Sequence, residues 1–107
     1  METLNVKPKH IMNCNPQFCT TCAIGLSLQE KGYSEFEVQF QYISYSDKNG
    51  TYHTLNTSRD LLVWQRALYN SNQCQPITIE LDETERKARI IQKGEQKWKV
   101  KEKTKGN

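Results

Sequence analysis

A chain of 107 residues with 36% hydrophobic and 25% charged side chains makes one small domain, too short for a deep cleft with its supporting shell and too rich in compact apolar runs to be wholly disordered. No run approaches the roughly 20 apolar residues of a membrane span, and the first 13 residues lack the basic-then-apolar pattern of a secretory signal. No membrane contact, a cytoplasmic address and reduced thiols are therefore expected. The net charge of +3 is unevenly spread: residues 86–107 carry nine basic and two acidic side chains, residues 1–85 six and ten.

Residues 1–15 read as an extended lead-in. Asn15-Pro16 is a helix-start signal, an N-cap acceptor followed by a proline whose missing N–H would be unpaired anyway. The helix is predicted to run to Glu30, with Phe18, Cys22 and Leu26 on its apolar stripe and Gly32 as the terminator. Phe36, Val38, Phe40 and Tyr42 then alternate with Glu35, Glu37, Gln39 and Gln41, a strand with one dry face. Asp47-Lys48-Asn49-Gly50 turns the chain into a return strand, Thr51 to Thr57. A loop of two or four residues places His53 and Leu55 on the face of Phe36 and Val38; a three-residue loop reverses that face and is disfavoured.

Ser58 is the expected cap of a second helix, with Asp60 near its positive end and Leu61, Trp64 and Leu68 buried. Ile77, Ile79 and Leu81 open a second hairpin. A turn at Asp82–Glu85 pairs them with Ile90, Ala88 and Arg86, and leaves Lys87 and Arg89 on the outer face with Thr78 and Glu80. Residues 97–101 are a candidate edge strand with Trp98 and Val100 inward. The expected fold is α+β, in helix–hairpin–helix–hairpin order: an antiparallel sheet of four strands, with that segment as a candidate fifth, and two helices on one face. Residues 1–100 form the single α+β domain; 101–107 are a basic, disordered C-terminal tail.

Cys14, Cys19 and Cys22 form a C-x4-C-x2-C cluster, with Cys74 far downstream. A C-x2-C pair supplies two of the four soft ligands of a zinc tetrahedron, which makes these four cysteines a candidate metal site. The same spacing is similar to that of plant-type [2Fe–2S] ferredoxins, but the intervening loop holds Pro16 and Phe18 and no glycine, and Cys74 lies too far away. Cysteines at helical spacing are also small core hydrophobes, and no cofactor is the leading expectation. Asp82, Glu83 and Glu85 are clustered carboxylates suited to a divalent cation or to a solvated hairpin tip. His53 reads as a satisfied, partly buried histidine.

The chain has no nucleophile elbow, phosphate loop or zincin motif, so a non-catalytic role is expected. The leading reading is a small interaction or regulatory protein, of accessory or inhibitor type. It would bind a protein partner through the exposed-aromatic candidates Tyr45 and Tyr52 near the first hairpin tip. The alternative is nucleic-acid binding through Arg86, Lys87, Arg89, Lys97, Lys99 and Lys101, with Trp98 as a stacking ring. The second alternative is a zinc-stabilised version of either. Lysines on an edge strand also simply block edge-to-edge aggregation.

Overall fold

The computed structural model describes residues 2–18 and 20–101; Cys19 and residues 102–107, most of the expected tail, lie outside the described residues. Nine elements follow in order: β1 (Glu2–Val6), α1 (Pro8–Asn13), α2 (Ala23–Lys31), β2 (Ser34–Val38), β3 (Tyr42–Ser46), β4 (Tyr52–Thr57), α3 (Arg59–Tyr69), β5 (Ile77–Asp82) and β6 (Lys87–Lys93). The α+β class stands. The sheet, however, has six strands in the order β1-β5-β6-β4-β3-β2, and one pairing is parallel. Among the described residues, no helix is long and apolar enough to cross a membrane.

The lead-in is an edge strand followed by a short helix. Leu4 and Val6 face Ile79 and Ile77 across the β1–β5 ladder and are buried with them. Pro8 then sets the first turn of α1, and His10 Nδ1 accepts the Lys7 N–H at 3.0 Å.

The expected helix from Pro16 begins seven residues later. Asn15 Oδ1 accepts the Gln17 N–H at 3.2 Å, and the Asn15 N–H donates to Thr21 O at 2.8 Å, so the loop closes on itself instead of winding on. Cys22 is the actual N-cap, its Sγ accepting the Gly25 N–H at 3.4 Å. At the other end Gly32 adopts φ 92°, the left-handed terminator that was expected.

The single strand predicted over 35–42 is instead the first half of a hairpin. The chain reverses at Gln39-Phe40-Gln41, with the Gln39 N–H bonded to Tyr42 O at 2.9 Å, and Val38 faces Ile43. The next turn takes the disfavoured odd length. Asp47 N–H donates to Thr51 O at 2.9 Å around Lys48-Asn49-Gly50, with Gly50 at φ 81°. Ile43 therefore faces Leu55 and Tyr45 faces His53, with Ile43, Tyr45 and Leu55 fully buried.

Helix α3 forms as its sequence implies: Ser58 Oγ accepts the Leu61 N–H at 3.3 Å, and Leu61, Trp64 and Leu68 are buried. The β5–β6 hairpin turns at 83–86 rather than 82–85. Leu81 meets Ala88 and Ile79 meets Ile90, two residues from the expected register but on the expected face. Apolar side chains meet at both of these positions, and Ile77 falls opposite Lys93. Arg89 faces Glu80 and is ion-paired with it.

The parallel β4–β6 pairing was not expected. The Asn56 and Ser58 N–H groups donate to Arg86 and Ala88 carbonyls, both at 2.8 Å, and this short seam joins two three-stranded antiparallel halves. Helix α2 packs against β1 and β2, the opposite edges of the sheet, so the sheet curls about it. Residues 97–101 do not extend the sheet. Trp98 exchanges backbone hydrogen bonds with Cys74 at 2.6 and 2.7 Å, and the Lys101 N–H reaches Met12 O at 2.8 Å. Trp98 and Val100 are half-buried against the core.

Candidate functional site

The 14–22 loop, the β2–β3 turn and α3 enclose a cleft of about 240 Å³. Because α2 starts late, Phe18 is not on a helical stripe. It stands on the loop, 62% exposed at the cleft wall. Tyr69, at the end of α3, is 43% exposed on the facing wall and meets the Phe40 ring edge-on at 5.4 Å between centroids. The Arg66 guanidinium lies 5.9 Å from the centre of the Phe40 ring. Gln65 also lines the cleft and is only 8% exposed. Its Nε2 donates to Gln39 O at 3.0 Å, while its Oε1 is buried and has no hydrogen-bond partner among the described residues. A buried acceptor without a donor costs on the order of 1–3 kcal/mol, so this cleft favours a guest that brings an N–H or O–H.

The tyrosines proposed for partner binding separate. Tyr52 is 57% exposed, but Tyr45 is wholly buried, its ring stacked on Tyr33 at 4.8 Å and its hydroxyl donating to Glu83 Oε2 at 2.7 Å. The odd hairpin loop turned it inward. Burial and then the Glu83 bond raise the Tyr45 phenol well above its ordinary range.

The odd loop also assembles a constellation the sequence left scattered. His53 Nε2 lies 2.8 Å from Asp47 Oδ2 and 3.1 Å from Glu83 Oε2. Asp47 Oδ1 is held by the N–H groups of Asn49 and Thr51, at 2.8 and 3.0 Å. The His53 hydrogen bond holds the Asp47 carboxyl below its usual range. Of the expected carboxylate cluster only Glu83 takes part. Asp82 is buried and accepts the Glu85 N–H at 2.9 Å.

Among the described residues, the one group of three metal-ligand side chains within reach of one another is Asp47, His53 and Glu83. Cys14 and Cys74 are free thiols. Cys14 Sγ donates to Ile11 O at 3.3 Å, and Cys74 Sγ to Trp64 O at 3.7 Å. Burial pushes both of these thiols up to about 11, which keeps them protonated and poor as nucleophiles at neutral pH. Cys19, the fourth candidate, lies outside the described residues.

The basic candidates divide as well. Arg86 is exposed in the hairpin turn at φ 56°, and Arg89 is committed to Glu80. Lys87, Lys97, Lys99 and Lys101 are exposed. Trp98 packs into the core edge beside Cys74, which withdraws most of its ring from stacking.

Phe18, expected on a helical stripe, stands in the open because Asn15 closes a turn instead of capping a helix; Tyr69 is exposed at the last residue of α3. No family model matches the chain, and no curated protein or solved structure matches it.

Proposed function

We propose that the chain is a small, non-catalytic interaction module that binds a protein partner through the aromatic cleft between the 14–22 loop and α3. The observation that carries this reading is the pair of exposed rings, Phe18 and Tyr69, beside a buried Gln65 carbonyl without a donor. Exposed aromatics around a concave apolar floor are what interface anchors use, and the orphaned acceptor adds direction. The guest is an apolar side chain with an adjacent hydrogen-bond donor. Tyr45 leaves the binding surface under this reading; Tyr52 stays outside the cleft. A reducing, cytoplasmic setting belongs to the same proposal, supported by the buried free thiols of Cys14 and Cys74.

Photo-crosslinking tests it. A photoreactive residue replacing Phe18 or Tyr69 should capture the same partner protein in cells of the source organism. The same probe at Ile91, exposed on β6 away from the cleft, should not. Equal capture at Ile91, or none at either cleft position, overturns the assignment.

A second reading is nucleic-acid binding by the exposed Lys87, Lys97, Lys99 and Lys101. It predicts affinity that falls steeply with salt and disappears on truncation after Gln92.

A further inference from the structure

We propose that Asp47, His53 and Glu83 form a binding site for one first-row divalent transition ion, of the Mn²⁺ or Zn²⁺ kind. Their three ligand atoms lie within 4.8 Å of one another. The imidazole Nε2 faces both carboxylates, at 2.8 and 3.1 Å. A ring nitrogen carries at most one hydrogen, so here one N–H is shared between two oxygens in a three-centre bond. Without a cation between them the two carboxylates share a single donor; with one, each ligand donates its own lone pair.

Both carboxylates are held in place. Two backbone N–H groups fix Asp47 Oδ1 and turn Oδ2 inward; the Tyr45 hydroxyl donates to Glu83 Oε2, the oxygen that faces His53, and so orients it while leaving it a second lone pair. His53 stands on β4 opposite the buried Tyr45, which fixes its side of the strand. Such bracing is the usual outer support of metal ligands. One imidazole with two carboxylates suits Mn²⁺, Fe²⁺ or Zn²⁺ better than Mg²⁺ or Ca²⁺, which prefer oxygen alone. All three side chains retain exposure, 17, 18 and 29%, so the remaining coordination positions open to water.

The placement gives the ion a structural task. Asp47 and His53 belong to the β2–β3–β4 half of the sheet and Glu83 to the β5–β6 hairpin. An ion here clips the two halves together beyond the end of their short parallel seam.

Mn²⁺ is the probe of choice, because thiols compete poorly for it. The purified chain is titrated with MnCl₂ while free Mn²⁺ is followed by electron paramagnetic resonance, and Zn²⁺ is titrated calorimetrically in parallel. The expected result is one saturable site per chain, a melting temperature that rises with the ion, and affinity weakened by about tenfold or more in His53→Gln and in Glu83→Gln. Cys22→Ser should bind Mn²⁺ as the unaltered chain does. Glu83→Gln decides if His53→Gln fails to fold, since Glu83 sits on the hairpin tip. Absence of saturable binding, unchanged affinity in Glu83→Gln, or loss only in Cys22→Ser overturns the site. The cleft reading stands or falls independently, as none of these residues lines it.

Discussion

Gly25 lies in the first turn of α2, where general rules favour alanine. Replacing glycine by alanine in a helix gains about 1 kcal/mol in propensity, part of it from a less mobile unfolded chain. Here a Cβ would stand 2.5 Å from Thr20 O and 2.9 Å from Thr20 C, with the Phe36 ring at 3.4 Å. The first two are backbone atoms, so no rotamer change relieves the overlap. Either the 14–22 loop moves away from α2 or the helix start unwinds, and overpacking of this kind costs about 1–3 kcal/mol. A steric cost in the middle of that range, about 2 kcal/mol, outweighs a propensity gain of about 1, leaving Gly25→Ala destabilised by about 1 kcal/mol. For a domain of this size that lowers the melting temperature by roughly 4–8 °C, measurable by circular dichroism or calorimetry. The displaced loop carries Phe18, so crosslinking from that position should weaken in the same variant. A melting temperature equal to or above that of the unaltered chain would refute the close approach of Thr20 to α2, and with it the wall of the cleft.

The two hairpin tyrosines should behave in opposite ways. Tyr45→Ala empties a fully buried, stacked position and should cost about 3–5 kcal/mol in a denaturant titration, whereas Tyr52→Ala should stay within about 0.5 kcal/mol; equal effects would place Tyr45 at the surface. Acid should destabilise the fold in two stages. Burial lowers the His10 imidazole from 6.5, and the Lys9 ammonium, then Lys7, holds Glu30 down from 4.5 to about 2. Both folded values lie below the unfolded ones, so the stability they confer is complete above those unfolded values and is lost as pH falls, first below about 6.5 and then between 4.5 and about 2. Protonating His10 also removes the acceptor of the Lys7 N–H. Glu30→Gln should flatten the lower stage of a melting-temperature profile from pH 7 to 3, and a profile unaffected by acidification would contradict the Lys7–His10–Glu30 arrangement.

Where local chemistry decided the outcome, the sequence was legible. Ser58 capped α3, Gly32 ended α2, and the alternation of Ile77, Ile79 and Leu81 placed β5 with the right face inward. Two kinds of feature escaped. One is loop parity: two- and three-residue turns around Asn49-Gly50 have similar local preferences, and the choice rests on whether Tyr45 can stack on Tyr33 inside the fold. That single residue of register buried a proposed binding residue and brought His53 to Asp47 and Glu83. The other is pairing between distant segments. Residues 2–6 carry only Leu4 and Val6 as a strand signal, and they become a strand because β5 offers an unpaired edge. The same holds for β4 and β6, whose parallel contact is set by the path of α3 and leaves no trace in either strand. Phe40 escaped for a third reason: it continued an alternation that ended two residues earlier.

The first strand has a consequence for the order of events during synthesis. Leu4 and Val6 leave the ribosome well before their partners Ile79 and Ile77 are made. Hairpins β2–β3, β3–β4 and β5–β6 join neighbours and can close as they emerge, whereas β1 must remain unpaired until β5 exists. Two apolar side chains on a short, charged segment (Glu2 before them, Lys7 after) keep that wait from becoming an aggregation hazard. The pairing of β1 thus belongs to the late, long-range steps of sheet closure, and it brings one edge of the sheet against α2, which also packs on the other edge.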